Sequence, residues 1–265
     1  MKAAELLQKL RRKLTGRAVW ESAARVEVLE RRLKHVEELL ELLAGDEDAL
    51  WLYRNREERM DATRPMFDEL RRRFHLARYE FAAGHVRGSR VADIACGTGY
   101  GTEILVLQGG AGHATGVDRD PAAVDYARRR HGSRGTTFVC APAEETGLQS
   151  ACLDAIVSME TIEHVEDDAP LLREFHRLLK PEGRLICSTP NAWALEDAEH
   201  HHRSYELSSF RRMLEPCFDV REMWNQNSGS PSKYNHGQPA GMRPTTAENA
   251  ASAECYVAVC SRRDT

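Results

Sequence analysis

Acidic and histidine side chains that could hold a divalent cation stand close together in the middle of the sequence. Glu160, Glu163 and His164 form the pattern Glu-x-x-Glu-His, and a triple histidine follows at 200–202. In a helical turn, residues three and four positions apart project to the same side, so the first three can converge on one ion. His201 is the favoured fourth ligand. Oxygen and imidazole ligands without cysteine suit Mg, Mn, Fe, Co or Zn, and such an ion lowers the pKa of a bound hydroxyl group.

Two other interpretations of these histidines remain open. Without a metal ion, His164 or His201 would serve as the catalytic general base toward a hydroxyl group. Alternatively, His164 caps or packs at the start of a helix and the triple histidine is a polar loop, because histidine is more often structural than catalytic. Chelation of divalent ions separates the metal site from both.

A second candidate site is a glycine-rich turn that follows the apolar run beginning at Val91. Gly97 and Gly99 let the backbone turn tightly and approach a ligand, and a helix that begins near Thr102 presents free N–H groups. Asp118 ends the next apolar run, at the distance past the glycines where Rossmann-like sites hold ribose hydroxyls. A nicotinamide-dependent oxidoreductase would need a third glycine where Thr102 stands, so it is the weaker alternative.

The elements that position these side chains alternate from residue 90 onward, where short apolar runs rich in β-branched residues are separated by helical patterns. Such alternation is typical of βα units and a mostly parallel sheet. Strands are predicted near residues 90–95, 113–118, 136–140, 153–158, 183–189, 218–225 and 254–261. A polar stretch rich in Gly, Pro, Ser and Asn separates the last two and is predicted to be a mobile loop. The fold class is therefore α/β, with a Rossmann-like, doubly wound, seven-stranded and mostly parallel sheet and an α-helical N-terminal extension.

The first part of the sequence is helical in character and carries a heptad pattern. Apolar residues recur at alternating spacings of three and four from Val26 to Leu43, with glutamate and arginine between them. Gly45 and Asp46 end the pattern. The helix is predicted either to pack on its own domain or to form a coiled coil through residues 22–44, which would make the protein a homo-oligomer.

These patterns divide the chain into three regions. Residues 1–50 form the amphipathic helical extension, residues 51–84 a helical lid or linker, and residues 85–265 the Rossmann-like domain. The second region contains a helix that is predicted to run from about Pro65, a good first-turn residue, to Ala83.

The stretch 93–99, with the pattern Asp-x-Ala-x-Gly-x-Gly, resembles the first motif of the class I S-adenosylmethionine-dependent methyltransferases. The resemblance runs from about residue 78 to 191 and implies that S-adenosylmethionine is the cofactor. It assigns the glycine-rich loop to the methionine moiety, Asp118 to the ribose and Arg119 to the edge of the adenine. The residues implied to contact the cofactor are Asp93, Ala95, Gly97, Gly99, Asp118, Arg119, Ala143, Glu144 and Glu160.

The sequence departs from that family at the end of the predicted third strand. Pro142 stands there in place of the acidic or polar residue that accepts a hydrogen bond from the adenine amino group. The resemblance implies that Ala143 still offers its backbone N–H to the adenine. Further on, Leu153–Val165 and Lys180–Asn191 look like the family's fourth and fifth strands with their loops.

The Glu-x-x-Glu-His pattern with a later histidine is similar to two metal-assisted branches of the family. These are the O-methyltransferases of ubiquinone biosynthesis and the enzymes that methylate the terminal 2′-hydroxyl of small RNAs. His75–Ala82 and Tyr205–Phe210 are more similar to methyltransferases encoded with bacterial polysaccharide and natural-product glycosylation enzymes. The resemblance therefore implies O-methylation of a sugar, a glycoconjugate or another small molecule. RNA methylation and a catalytically silent adaptor with the same fold are the alternatives.

Charge and cysteine content restrict the compartment and the partners. With 265 residues and a net charge of −4, the chain shows no basic field that favours nucleic acid or an anionic membrane. The seven cysteines include no Cys-x-x-Cys pair, which argues against a disulfide framework and a thiolate zinc site. No run of about 18 apolar residues occurs. The sequence thus predicts a cytoplasmic protein that does not span a membrane and acts on a small molecule.

Overall fold

A computed structural model shows how these elements are arranged. The described residues are 25–26, 28–37, 40, 44–192, 195, 200–231, 233–235 and 237–264. The chain divides into two compact units, Met1–Glu58 and Arg59–Thr265. The predicted lid region 51–84 is thus shared between the two units, and a boundary at residue 84 stays a prediction. Within the described residues, no helix combines the length and the apolar content that a bilayer span requires.

The first unit contains the helix that carries the heptad pattern. Residues 28–37 are helical, and Gly45, with a φ of +77°, separates this helix from α1 (Glu47–Arg54). Asp46 begins α1 because its side chain accepts hydrogen bonds from two amides of the first turn. Leu43 and residues 22–24 of the predicted coiled coil lie outside the described residues.

The second unit begins with an irregular segment followed by the helix α2 (Glu69–Ala83). This helix begins later than the predicted start at Pro65, because the side chain of Asp68 caps it by accepting hydrogen bonds from two amides of the first turn. One face of α2 packs in the core beside the sheet through Tyr79 and Ala82, which are both buried.

One sheet contains the eight strands β1 (Arg90–Ile94), β2 (His113–Asp118), β3 (Thr136–Cys140), β4 (Leu153–Ser158), β5 (Leu179–Pro190), β6 (Phe218–Asn227), β7 (Gly241–Pro244) and β8 (Cys255–Arg262). Their order is β3-β2-β1-β4-β5-β8-β6-β7. The first five strands of this order pair in parallel, whereas β8 is antiparallel to both β5 and β6. The strand order changes direction between β1 and β4, which confirms the doubly wound, Rossmann-like arrangement.

Among the residues that the structure describes, the sheet has one more strand than the seven predicted. β7 lies within the polar stretch that was predicted to be a mobile loop, and it pairs with β6 from Trp224 to Asn227. For these 4 residues the prediction of a loop was wrong, because β7 is an edge strand in which Gly241 and Pro244 leave no alternating apolar pattern. Pairing with β6, rather than local propensity, makes this segment extended.

Helices cover both faces of the sheet. The core on one face includes α2 and α3 (Tyr100–Leu107), and the core on the other includes α5 (Asp168–Leu178) and α6 (Leu207–Leu214). α4 (Pro121–His131) packs beside β3. Because β2, β1 and β4 are parallel neighbours, the loops after their carboxyl ends meet at one edge of the sheet.

Candidate active site

The loop after β1 is shaped by three residues with positive φ, namely Ala95 at +62°, Gly97 at +55° and Gly99 at +85°. Packing requires glycine at 99, because an added Cβ would lie 2.6 Å from the Cβ of Ala127 and 2.8 Å from the ring of Phe138. Gly97 differs, since nothing lies within 4 Å of the position that its Cβ would take. The backbone at Gly97 therefore faces open space, where a ligand can approach the loop closely.

Asp118, at the end of β2, joins this loop to the start of α4. Its Oδ2 accepts a hydrogen bond from the Gly97 amide at 2.8 Å, and its Oδ1 accepts one from the Asp120 amide at 3.0 Å. Asp120 in turn caps α4 by accepting from the amide of Ala122. Each carboxylate oxygen keeps a further acceptor position, so Asp118 can receive hydroxyl groups of a ligand while it shapes the loop.

Asp93 supports the loop from within the core. Its side chain is fully buried and accepts hydrogen bonds from the hydroxyls of Tyr79 at 3.2 Å and Thr102 at 2.7 Å. Burial raises the pKa of Asp93 to about 7. The bond to Asp93 gives Thr102 a function at the position where a dinucleotide-binding loop has glycine. α3 begins at Tyr100, slightly before the predicted start, because the positive φ of Gly99 ends the loop there.

The residues predicted to border the adenine flank Asp118. The Ala141 amide donates to the Asp118 carbonyl oxygen at 3.0 Å, which places the loop after β3 beside the end of β2. Arg119 is exposed, and Ala143 and Glu144 are half-buried. Contact of these three residues with the cofactor stays a prediction.

Glu160 follows β4, and its carboxylate faces β5 and β8. Its φ is +52°, and it precedes the short 3₁₀ helix Ile162–His164. Its Oε1 accepts hydrogen bonds from Ser188 Oγ at 2.9 Å and Cys255 Sγ at 3.2 Å. Glu160 was expected to lie in one helical turn with Glu163 and His164, so that all three could bind the same ion. That turn is not formed, because Glu160 lies outside the 3₁₀ helix. The predicted contact of Glu160 with the cofactor stays a prediction.

Arg78, on α2, is a charged residue near this site that the sequence analysis missed. Its guanidinium is buried, donates to Gln226 Oε1 at 3.2 Å and lies 3.8 Å from Glu160 Oε2. Although burial opposes the charge, the Glu160 carboxylate holds the pKa of Arg78 above its ordinary value. Burial and the Arg78 charge together hold the pKa of His75 well below its usual range. Arg78 thus supplies a buried positive charge beside the loop after β4.

Glu163, His164 and His201 come together after β4 and form the histidine cluster. One ligand atom from each residue lies within 4.8 Å of the other two. The rings of His164 and His201 meet edge to face, with their centroids 4.7 Å apart. The His202 amide donates to the Glu163 carbonyl oxygen at 2.8 Å, which holds the later segment against the 3₁₀ helix. The cluster contains these three of the predicted metal ligands and not Glu160.

The electrostatics of the histidine cluster fit a cation. Oε1 of Glu163 is buried and has no hydrogen-bond partner among the described residues. Such an unsatisfied oxygen costs about 1–3 kcal/mol or more. Burial, together with the charge of Glu160, raises the pKa of Glu163 well above its usual range. His164 Nδ1 lies 3.0 Å from the His200 carbonyl oxygen, so Nδ1 carries the proton and Nε2 the lone pair. Burial lowers the pKa of His164 and of His201, which favours the neutral imidazoles that bind metals.

The second unit is similar in sequence to known methyltransferases. Residues 92–187 match the family model described as a methyltransferase domain. A ubiquinone biosynthesis O-methyltransferase of Xylella fastidiosa is 38% identical over 107 residues, which are 39% of this chain and 43% of that protein. A probable S-adenosylmethionine-dependent methyltransferase of Mycobacterium tuberculosis is 33% identical over 119 residues, 45% of this chain and 42% of that protein. The matches thus span less than half the length of these curated relatives.

A solved structure shares the fold over a larger part of the chain. It is an S-adenosylmethionine-dependent methyltransferase of Thermotoga maritima, described as a possible histamine N-methyltransferase. The two chains superpose with a TM-score of 0.58 and 17% sequence identity, covering 73% of this chain and 91% of that one. At this level of identity the likeness establishes the fold alone.

Proposed function

We infer that the protein uses S-adenosylmethionine to methylate a hydroxyl group of a sugar or another small molecule. The match of residues 92–187 to a methyltransferase domain and the S-adenosylmethionine-dependent relatives support this proposal. The observation that carries this proposal is the histidine cluster, which follows β4 at the same sheet edge as the open backbone of Gly97. A methyl donor over Gly97 and an acceptor hydroxyl at the cluster would meet between the ends of β1 and β4. The main task of the protein is then to align the two and to exclude water.

The loops after the first three strands are proposed to hold S-adenosylmethionine. Gly97 leaves room for close backbone approach, and the carboxylate of Asp118 has acceptor positions for the ribose hydroxyls. Asp93, Ala95 and Gly99 contribute mainly through the shape of the loop, since Asp93 is buried and the other two have positive φ. The residues proposed to border the adenine are Arg119, Ala143 and Glu144.

Glu163, His164 and His201 are proposed to hold a divalent cation. When bound, the ion lowers the pKa of the acceptor hydroxyl and helps to orient it. In the metal-free version of the proposal, His164 Nε2 or His201 takes the hydroxyl proton as a general base. The carbonyl oxygen of His200 holds His164 in the tautomer that both versions need.

Mass spectrometry of reaction mixtures tests the proposed function. With labelled S-adenosylmethionine and a panel of sugar nucleotides, glycolipids, phenols and a short RNA duplex, we expect label on a hydroxyl of one small-molecule class. The test variant is Glu163→Gln, which keeps the shape of the side chain and removes the carboxylate proposed as a ligand, and it should transfer little label. Label found only on the RNA terminus would favour RNA methylation. Cofactor binding without transfer to any acceptor would favour the silent adaptor.

The exposed stripe of the first helix supports a second proposal, that the chain forms a parallel dimer. The residues of this stripe follow heptad spacing and are exposed by 42–60%: Leu29, Leu33, Val36 and Leu40. Charged residues flank the stripe at the positions that face a partner helix in a coiled coil. In a parallel pair, Arg25 faces Glu30 of the second copy, and Arg32 faces its Glu37, so unlike charges meet. An antiparallel pair would place like charges opposite each other.

Sedimentation measures this self-association. We expect the wild-type protein to be a dimer at tens of micromolar, on the order of ordinary assay concentrations. Leu33→Lys places a charge in the apolar stripe and should give a monomer. Val28→Lys is the matched control, because Val28 is 45% exposed but lies off the stripe, and it should remain a dimer. A monomeric wild-type protein would contradict the proposal.

A further inference from the structure

Asp61, before α2, and His131, at the end of α4, belong to a buried chain of charges that the proposed function does not use. His131 Nε2 lies 2.8 Å from Asp61 Oδ2, and His131 Nδ1 lies 2.8 Å from Glu103 Oε2. Tyr126 donates its hydroxyl to the same Asp61 oxygen at 2.9 Å. Asp61 is 1% exposed and His131 is 4% exposed, so solvent screens their interaction little.

Both ring nitrogens of His131 carry protons in this arrangement. An ionised carboxylate only accepts hydrogen bonds, and each nitrogen faces one carboxylate, so only the imidazolium form donates to both. Although burial opposes the charge, Asp61 and Glu103 raise the pKa of His131 above its ordinary value. His131 in turn lowers the pKa of Asp61, against the effect of burial. The chain of charges is complete only while His131 is protonated.

The Met60 segment, residues 59–63, connects these charges to the proposed cofactor loop. Thr98, between the two glycines of that loop, donates its hydroxyl to the Met60 carbonyl oxygen at 2.7 Å. At one end of the segment, Arg59 pairs with Asp120 at 3.1 Å. In the middle of the segment, Asp61 anchors it through the contact with His131. The glycine loop is thus held from outside by a segment whose own position depends on the half-buried pair of Arg59 with Asp120 and on the buried pair of Asp61 with His131.

We propose that Asp61 and His131 are positioning residues for the cofactor: protonated His131 anchors the Met60 segment against Thr98, and loss of that proton loosens the loop and weakens cofactor binding. The proposal rests on the cofactor site inferred above and adds a pH dependence to it. Both residues act through the Met60 segment and not by touching the cofactor.

The direction of the pH effect follows from the groups around His131. The groups that face it are Asp61, Glu103 and Tyr126. The charged groups that act on this tyrosine besides Asp61 are Arg64 and Arg130. The pKa of His131 lies above its ordinary value of about 6.5, so the anchor is complete below that pH and is lost as the pH rises through the raised pKa. By linkage, bound cofactor must raise the pKa of His131 further.

Titration calorimetry with S-adenosylhomocysteine, the demethylated product, gives the first test. From about pH 6 to pH 9, we expect the wild-type dissociation constant to rise by about five- to tenfold. Asp61→Asn and His131→Gln should bind weakly already at the lower pH and lose most of this dependence. His113→Gln is the matched control, because His113 forms a hydrogen bond with Thr137 between β2 and β3 and does not contact the Met60 segment in any hydrogen bond described above. Its dissociation constant should depend on pH as in the wild type. The amino group of the ligand and the buried Asp93 also titrate in this range in all four proteins, so only the differences between them count.

A nuclear magnetic resonance titration of the His131 ring in the wild-type protein gives the second test, which does not depend on whether the variants fold. We expect a higher His131 pKa in the presence of S-adenosylhomocysteine than in its absence. Two results would contradict the proposed role of Asp61 and His131 and leave the cofactor site intact. One is a His131 pKa that is the same with and without bound ligand. The other is a dissociation constant that depends on pH in folded Asp61→Asn as it does in the wild type. A wild-type protein that binds no S-adenosylhomocysteine at any pH would remove the cofactor site and the anchor together.

Discussion

Removal of divalent cations is expected to slow methyl transfer by about a hundredfold or more, because a bound cation would contribute several kcal/mol by stabilising the alkoxide or phenolate that forms when the acceptor hydroxyl loses its proton. The expectation rests on the histidine cluster, where one oxygen of Glu163 is buried without a partner among the described residues. Treatment with EDTA, followed by measurement of labelled product, gives the result. Added divalent ion should restore the rate.

Variants separate a metal ligand from a general base. Glu163→Gln keeps the size of the side chain and removes the anionic ligand, so its metal content should fall together with its rate. Glu182→Gln, at an exposed position on β5, is the matched control and should retain both. Intact turnover after thorough chelation, with His201→Ala silent, would contradict the metal site. Intact turnover after chelation with a slow His201→Ala would favour the general base.

The glycine loop could be predicted because its constraints are local in the sequence. A buried strand that runs into Gly97 and Gly99 and then into a helix needs backbone conformations that few other residues adopt. The position of Asp118 beside this loop could be predicted as well, because Asp118 ends the next strand and neighbouring parallel strands end at the same edge of the sheet. In the structure the Asp118 carboxylate lies 2.8 Å from the Gly97 amide, so the end of β2 and the glycine loop meet at this edge, whereas the contact of either with a cofactor stays a prediction.

The side chains that form the histidine cluster were predicted in part, for a reason that lies in the backbone. Sequence spacing places Glu163 and His164 next to each other, and the 3₁₀ helix keeps them so. Glu160 would join them only in a continuous helical turn, but its φ of +52° turns the chain away from one. A left-handed conformation is rare for a residue other than glycine, and the sequence pattern did not predict it.

Side-chain contacts between distant elements could not be predicted from spacing. Arg78 meets Gln226, and Asp61 meets His131, only because the fold brings separate elements together. α2 contains several other arginines, so charge alone did not single out Arg78. In the structure the Arg78 guanidinium lies 4.8 Å from the ring of Phe74, four residues before it. Arg71 follows Phe67 at the same spacing and also lies over that ring, so this spacing did not single out Arg78 either.

Replacing Asp118 by alanine is expected to weaken the binding of S-adenosylhomocysteine by about 1–3 kcal/mol. Two effects contribute to this loss. The variant lacks the acceptors proposed to receive the ribose hydroxyls, and it leaves the amides of Gly97 and Asp120 without the carboxylate that holds the loop. Titration calorimetry measures the affinity, and urea unfolding shows whether the variant remains folded.

Asp118→Asn separates the two contributions, namely the lost acceptors for the ribose hydroxyls and the lost support of the loop. The asparagine side chain keeps one acceptor oxygen but turns an N–H toward the second amide, so it should bind more weakly than the wild type and more tightly than the alanine variant. Asp125→Ala, on the exposed side of α4, is the matched control and should bind like the wild type. Unchanged affinity in folded Asp118→Ala would limit Asp118 to shaping the loop. Tighter binding of a nicotinamide dinucleotide would favour the oxidoreductase alternative. The hydrogen bond from Thr102 to Asp93 argues against that alternative, because the loop uses a hydroxyl group at the position where the dinucleotide-binding fingerprint needs glycine.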